Sequence, residues 1–205
     1  MSSWLKKLHQ HLIKPITRLG KWQSALVVIS VVVALASLPG LFQSVSDYFV
    51  PITELSDRAT LARQSGDDQT AIRLYQIISD RASKSDYSSN YELGNLYMQS
   101  GNYRSAERYY LKAANNPAAL MGVFYQLADI YTNHLTSGRD KFAKLTTYRL
   151  STDRKTDTGL MIVLASFYRD WGKLEPALNW FKRAAALDPS NQTLVTEIKS
   201  LESSL

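Results

Sequence analysis

"YELGNLYMQSGNYRSAERYYLKAANNP" (residues 91–117) and "IVLASFYRDWGKLEPALNWFKRAAALDP" (residues 162–189) carry one pattern twice. Aligned on Gly101 and Gly172, the positions Leu93, Gly94, Tyr97, Ala106, Tyr110 and Ala113 fall on Leu164, Ala165, Tyr168, Ala177, Phe181 and Ala184. Apolar and small residues recur at spacings of three and four, the period of a helix with one buried face. Each stretch therefore predicts two helices hinged at the glycine. Gly94 or Ala165 lets the first helix come close to the second, Ala106 or Ala177 answers it, and the aromatic residues fill the space around that contact. "SGNY" (100–103) and "WGKL" (171–174) make the turn, where glycine takes a positive φ at low cost. Pro176 falls in the first turn of a second helix, where its missing N–H does no harm.

The two stretches lie too far apart to be neighbours, so a third unit with three extra residues belongs between them. Leu127, Ala128 and Tyr131 match its first helix, Gly138 and Ala143 its turn and second helix, with Thr147 where an aromatic is expected. Upstream, "LSDRATLARQSGDDQTAIRLYQII" (55–78) supplies Ala59, Gly66, Ala71 and Tyr75, with Arg58 in place of Leu. Downstream, "SNQTLVTEIKSLESSL" (190–205) reads as an amphipathic helix whose Leu194, Ile198 and Leu201 cover the last pair.

The pattern resembles the tetratricopeptide repeat (TPR), a unit of about 34 residues that reads W-x2-L-G-x2-Y, then A-x3-F, then Pro. The tryptophan is replaced by Asn90 and Met161, and the final proline matches at Pro189 and comes one place early at Pro117. The expected fold is all-α: a short TPR-like helical solenoid over 52–191, with units starting near 52, 87, 121 and 158, and a capping helix at 192–205. The resemblance implies a concave surface, lined by the first helix of each pair, that receives a peptide of a protein partner. Carried over position by position, the groove residues are Tyr91, Glu92 and Asn95, then Tyr125, Gln126 and Asp129, then Ile162, Val163 and Ser166. Asn95 is expected to bond a partner's backbone amide in both directions, and the two tyrosines to offer stiff apolar area with a polar tip. The variant of the family that clamps chaperone C-termini needs lysine and arginine in the groove. Here Ser56, Thr60, Tyr91, Asn95, Gly122, Gln126, Gly159 and Val163 occupy those places, so that clamp is absent.

Charge is distributed unevenly. Of the net +6 of this 205-residue chain, +5 arises in residues 1–22, where Lys6, Lys7, Lys14, Arg18 and Lys21 stand without an acid; the remaining 19 basic and 18 acidic residues nearly cancel. That is a terminal feature, not a nucleic-acid-binding stripe. Residues 22–46 are 25 in a row without charge. Their apolar centre, Ser24 to Phe42, reaches about 28 Å as a helix, close to a bilayer's hydrocarbon thickness. We expect a single transmembrane helix at 22–46, acting as a signal anchor behind a basic amphipathic arm at 1–21 whose Trp4, Leu5, Leu8 and Leu12 suit an anionic lipid surface. Trp22, Phe42, Tyr48 and Phe49 are placed as interfacial aromatics. The positive-inside rule then keeps the N-terminus cytoplasmic and puts the repeats on the far, periplasmic side. The alternatives are a signal peptide cleaved at "ALAS" (34–37), which releases a soluble adaptor, and a cytoplasm-facing subunit of a transport or defence system.

Catalysis is not expected. The chain has no cysteine, its only histidine after residue 11 is His134, and no phosphate-binding glycine loop occurs. His134 reads as a loop residue, Asp67–Asp68 as turn acids and Glu107 as a solvated helix acid. His9 and His11 lack a third metal ligand, and no metal or other cofactor is expected. The function these features point to is a membrane-anchored scaffold or adaptor that binds a protein partner, itself a membrane or envelope protein, and assists assembly or stability of its complex.

Overall fold

The computed structural model describes Leu26 and residues 29–33, 46–82 and 86–205. The chain divides into two compact units, Met1–Pro51 and Ile52–Leu205. In the first, the arm at 1–21 lies outside the described residues, as does most of the span expected at 22–46. The described part is helical at Leu26 and 29–33, where the Ser30 hydroxyl donates to the Leu26 carbonyl (2.8 Å). Leu26, Ile29, Val31, Val32 and Val33 are all exposed. Among the described residues, no helix is long and apolar enough to cross a membrane.

The second unit is all-helical among the described residues. Its helices are α1 (Ile52–Gln64), α2 (Asp68–Arg81), α3 (Tyr87–Gln99), α4 (Tyr103–Ala114), α5 (Met121–Asp129), α6 (Arg139–Ser151), α7 (Thr158–Asp170), α8 (Leu174–Leu187) and α9 (Gln192–Glu202). They pair as antiparallel hairpins, α1–α2, α3–α4 and α7–α8 packing more extensively than α5–α6. Each second helix also meets the next first helix, and α9 lies on α8.

One local device repeats at three turns. Gly66, Gly101 and Gly172 sit at φ of 78°, 73° and 78°. The residue after each donates its N–H back across the glycine: Asp67 to Ala62 (2.9 Å), Asn102 to Tyr97 (2.9 Å) and Lys173 to Tyr168 (2.9 Å). This closes the first helix on a left-handed residue, which a Cβ would strain. Asp67 and Asn102 then cap the second helix by accepting from the N–H of Thr70 (3.1 Å) and Ser105 (3.2 Å). Asp67 is thus a capping acid as well as a turn acid.

Packing within a pair follows the small-to-large logic. The Tyr110 ring lies against Gly94, where a Cβ would come within 2.4 Å of ring carbons. Tyr110 is fully buried and its hydroxyl donates to Asn95 (2.7 Å). Asn90, standing where the repeat has tryptophan, is buried too. It accepts from the Ser79 hydroxyl (2.9 Å) and donates to the Asp86 carbonyl (2.7 Å), so a polar bridge from α2 to α3 replaces an aromatic wedge.

The third unit departs from the others. After α5 the chain makes a π-helical turn, Ile130–His134, which absorbs part of the insertion. Gly138 (φ 102°) is itself the residue before α6, with no capping residue between, so α6 starts one position early. Its buried face is Phe142, Ala143, Thr146, Arg149 and Leu150, where α4 of the second unit buries Ala106, Tyr109, Tyr110, Ala113 and Ala114. Thr146, bonded to the Phe142 carbonyl (2.9 Å), therefore takes the buried place that sequence alignment gave to Thr147, which is exposed.

Candidate docking groove

The first helices are joined along the array by a series of side-chain ties. Arg63 of α1 pairs with Glu92 of α3. The Tyr91 hydroxyl reaches over Gly122 of α5, and Arg169 of α7 donates to Glu197 of α9 (2.8 Å). Between α5 and α7 the helices leave a cavity of about 240 Å³, lined by Tyr125, Ala128, Asp129, Thr132, Asn133, Ile162, Val163, Ser166, Phe167 and Asp170.

The nine residues expected to line a groove separate into two groups. Tyr125, Asp129, Ile162, Val163 and Ser166 come together at this cavity. Val163, only 3% exposed, is floor and part of the core, not a displayed side chain. Tyr125, 56% exposed, stands free at the edge. Gln126 does not line the cavity. The second-unit trio is occupied internally. Tyr91 stacks on Tyr87 (5.6 Å between centroids) and leans on Tyr110 (5.9 Å). Glu92 is held by Arg63, and Asn95 accepts from Tyr110 while its amide reaches Glu92 (3.4 Å). Asn95 thus already accepts and donates within the domain.

Sequence reasoning missed Ala128, Thr132, Asn133, Phe167 and Asp170. Thr132 and Asn133 reach the cavity from the π-helical turn, whose wider winding has no sequence signal of its own. In that turn Asn133 donates to Asp129 (2.6 Å), His134 stacks on Tyr103 (3.7 Å between centroids) and its Nε2 lies 3.8 Å from Asp129. His134 is therefore a packed helical residue, not a loop one. Glu107 is likewise no solvated acid. It accepts from the Tyr131 hydroxyl (2.6 Å) and faces Lys141 (3.6 Å), and its side chain is only 16% exposed. Burial first, then the Glu107 carboxylate, push the Tyr131 phenol far above its ordinary value. Tyr110 is raised as well, again mainly by burial, with Tyr91, Glu92 and Asp129 adding to it.

On the other side of the third unit, Arg149 is 4% exposed and donates to three carbonyls at the end of α4 and in the α4–α5 linker: Ala114 (2.7 Å), Asn116 (2.9 Å) and Pro117 (3.1 Å). Asp153 pairs with it at 2.7 Å. Arg154 repeats the device, donating to the Ala119 carbonyl and to Asp157 (2.9 Å), with its guanidinium 5.4 Å from the Phe124 ring centre. Together they fix the segment that presents α5 to the groove. Among the described residues no three or more His, Asp or Glu side chains gather as a metal site would need.

Paired helices, stacked so that each pair hides its apolar face against the next, define a short helical-repeat solenoid. Within it, residues 87–116 and 159–191 match the tetratricopeptide repeat family. Among solved structures, the chain is similar in fold to the crystal structure of MamA protein, with a TM-score of 0.54 and 16% identity over 74% of this chain and 81% of that one. A second crystal structure of MamA gives 0.52 and 16% identity over 71% of this chain and 83% of that one. No curated protein matches the chain.

Proposed function

We propose that the chain is a membrane-anchored scaffold whose repeat domain docks a protein partner and so assists assembly or stability of a membrane or envelope complex. The observation that carries this reading is the cavity between α5 and α7, apolar at its floor and open beside the exposed Tyr125. A stacked array of helix pairs with such a groove is suited to a peptide segment of another protein. No catalytic constellation is invoked. The anchor rests on the uncharged stretch at 22–46 behind five cations, and on the exposed apolar residues Leu26, Ile29, Val31, Val32 and Val33. The positive-inside rule places the domain on the trans side, facing other envelope proteins.

Docking is tested with a photo-crosslinking amino acid at Tyr125 of the full-length chain in membranes, compared with the same group at Lys182 on α8. A discrete protein adduct at Tyr125, absent at Lys182 and lost when Ile162→Glu is added, supports the reading; equal adducts at both sites overturn it. Anchoring and orientation are tested by alkaline extraction of membranes and a topology reporter fused after Leu205. Release by alkali, or reporter activity confined to the cytoplasm, refutes that part.

A further inference from the structure

Building on the docking function proposed above, we infer that the α5–α7 groove takes an arginine or lysine side chain of the partner, its methylene stem on the groove floor and its charged head at Asp129 and Asp170. A volume of about 240 Å³ is below the roughly 300–1,000 Å³ of sites for drug-sized molecules, so it fits one side chain in place of a cofactor. Its floor is apolar, formed by Ile162, Val163, Phe167 and Ala128, and its polar walls are Thr132, Asn133 and Ser166. Asp129 and Asp170 are its charged lining residues, and no cation lines it. An apolar bed ending in carboxylates matches the two-part chemistry of a long basic side chain, which buries its stem and keeps its head among acceptors.

Both carboxylates retain acceptor capacity. Asp129 accepts one bond from Asn133 (2.6 Å) and lies 3.8 Å from His134. Asp170 accepts from the Arg169 Nε (3.1 Å), while the Nη1 of Arg169 is directed to Glu197 (2.8 Å). An ionised carboxylate offers about four lone-pair sites, so neither is saturated. Each side chain is 42% exposed, open enough to meet an incoming cation. Tyr125 adds an open aromatic face at the edge, favourable to a guanidinium. An acidic partner segment would meet like charge and is excluded.

The experiment uses the full-length chain in mild detergent, applied to an array of immobilised nonapeptides that differ only in a central Leu-Arg, Leu-Lys, Leu-Gln or Leu-Glu. We expect about tenfold greater retention on the Arg and Lys peptides than on Gln, none on Glu, and weakening as salt shortens the Debye length toward about 3 Å. The double variant Asp129→Asn with Asp170→Asn should lose the preference. Ser166→Arg, which places a cation in the groove, serves should the double variant not fold, and should abolish retention. Equal retention on Arg and Glu peptides, no retention on any peptide, or an unchanged preference in these variants overturns the inference. If the Tyr125 adduct persists without cation preference, docking stands and this selectivity falls; loss of both removes both.

Discussion

Gly94 is a residue whose identity follows from a single distance. As an interior helical glycine it costs up to about 1 kcal/mol relative to alanine, and replacing it would ordinarily stabilise the helix. Here the added Cβ would meet the Tyr110 ring at 2.4 Å. Overpacking of a filled core costs about 1–3 kcal/mol, and Tyr110 has no exposed side to retreat toward. We therefore expect Gly94→Ala to destabilise the chain by about 1–2 kcal/mol, read as a lower midpoint in urea with an unchanged slope. The opposite sign would show that the ring can move. This pairing was legible beforehand because a small residue facing a large one leaves both its marks in the sequence. Asn90 was not: a buried asparagine satisfied by Ser79 and Asp86 looks in sequence like any surface asparagine.

Among the elements, the linker between α4 and α5 owes its shape to a side chain from another helix. Arg149 feeds three backbone carbonyls, of which Asn116 also accepts from the Ala119 N–H (3.0 Å), and a buried acceptor left without its donor costs about 1–3 kcal/mol. Arg149→Ala should lower unfolding stability by about 3 kcal/mol or more. Arg149→Lys should recover only part of this, because one ammonium cannot spread over three carbonyls as a planar guanidinium does. Full recovery by lysine, measured in the same urea titration, would mean that charge alone matters there. Helix pairs at Tyr87 and Thr158 were plain in the sequence because spacing, turn glycine and small residues agreed. The third unit was read one residue out of register because its glycine served as the anchor for alignment. Gly138 directly precedes α6, whereas elsewhere a further residue intervenes between glycine and helix. Only the buried face, with Arg149 where the other unit has Ala113, reveals the slip. Two groove residues, Thr132 and Asn133, were hidden because the π-helical turn that delivers them accompanies that insertion.

For the molecule as a whole, two tyrosines connect packing to pH. Tyr110 and Tyr131 are held neutral, both mainly by burial, while an unfolded tyrosine ionises near pH 10. A group whose value is raised on folding contributes stability that is complete below pH 10 and is lost as pH climbs through and above it. Ultraviolet titration of the folded chain should show these two phenols silent at pH 11, appearing only with loss of helical circular dichroism. Early ionisation of all tyrosines would contradict their burial. A second expectation concerns the end of the array. Ending the chain at Pro189 removes Leu194 and Leu201, each nearly fully buried, along with the Lys182–Glu202 pair (2.6 Å). At about 2 kcal/mol per buried leucine, roughly 4 kcal/mol should go, seen as a lower melting temperature and as dye binding to the uncovered face of α8.

The joints between first helices differ in kind from one end of the stack to the other. Arg63–Glu92 near the start and Arg169–Glu197 near the finish are partly solvated ion pairs, whereas the middle joint is the hydroxyl end of Tyr91 set against Gly122. Dissolved ions weaken the outer two and leave the central one untouched. Raised salt should thus loosen the two ends of the array while its middle stays held.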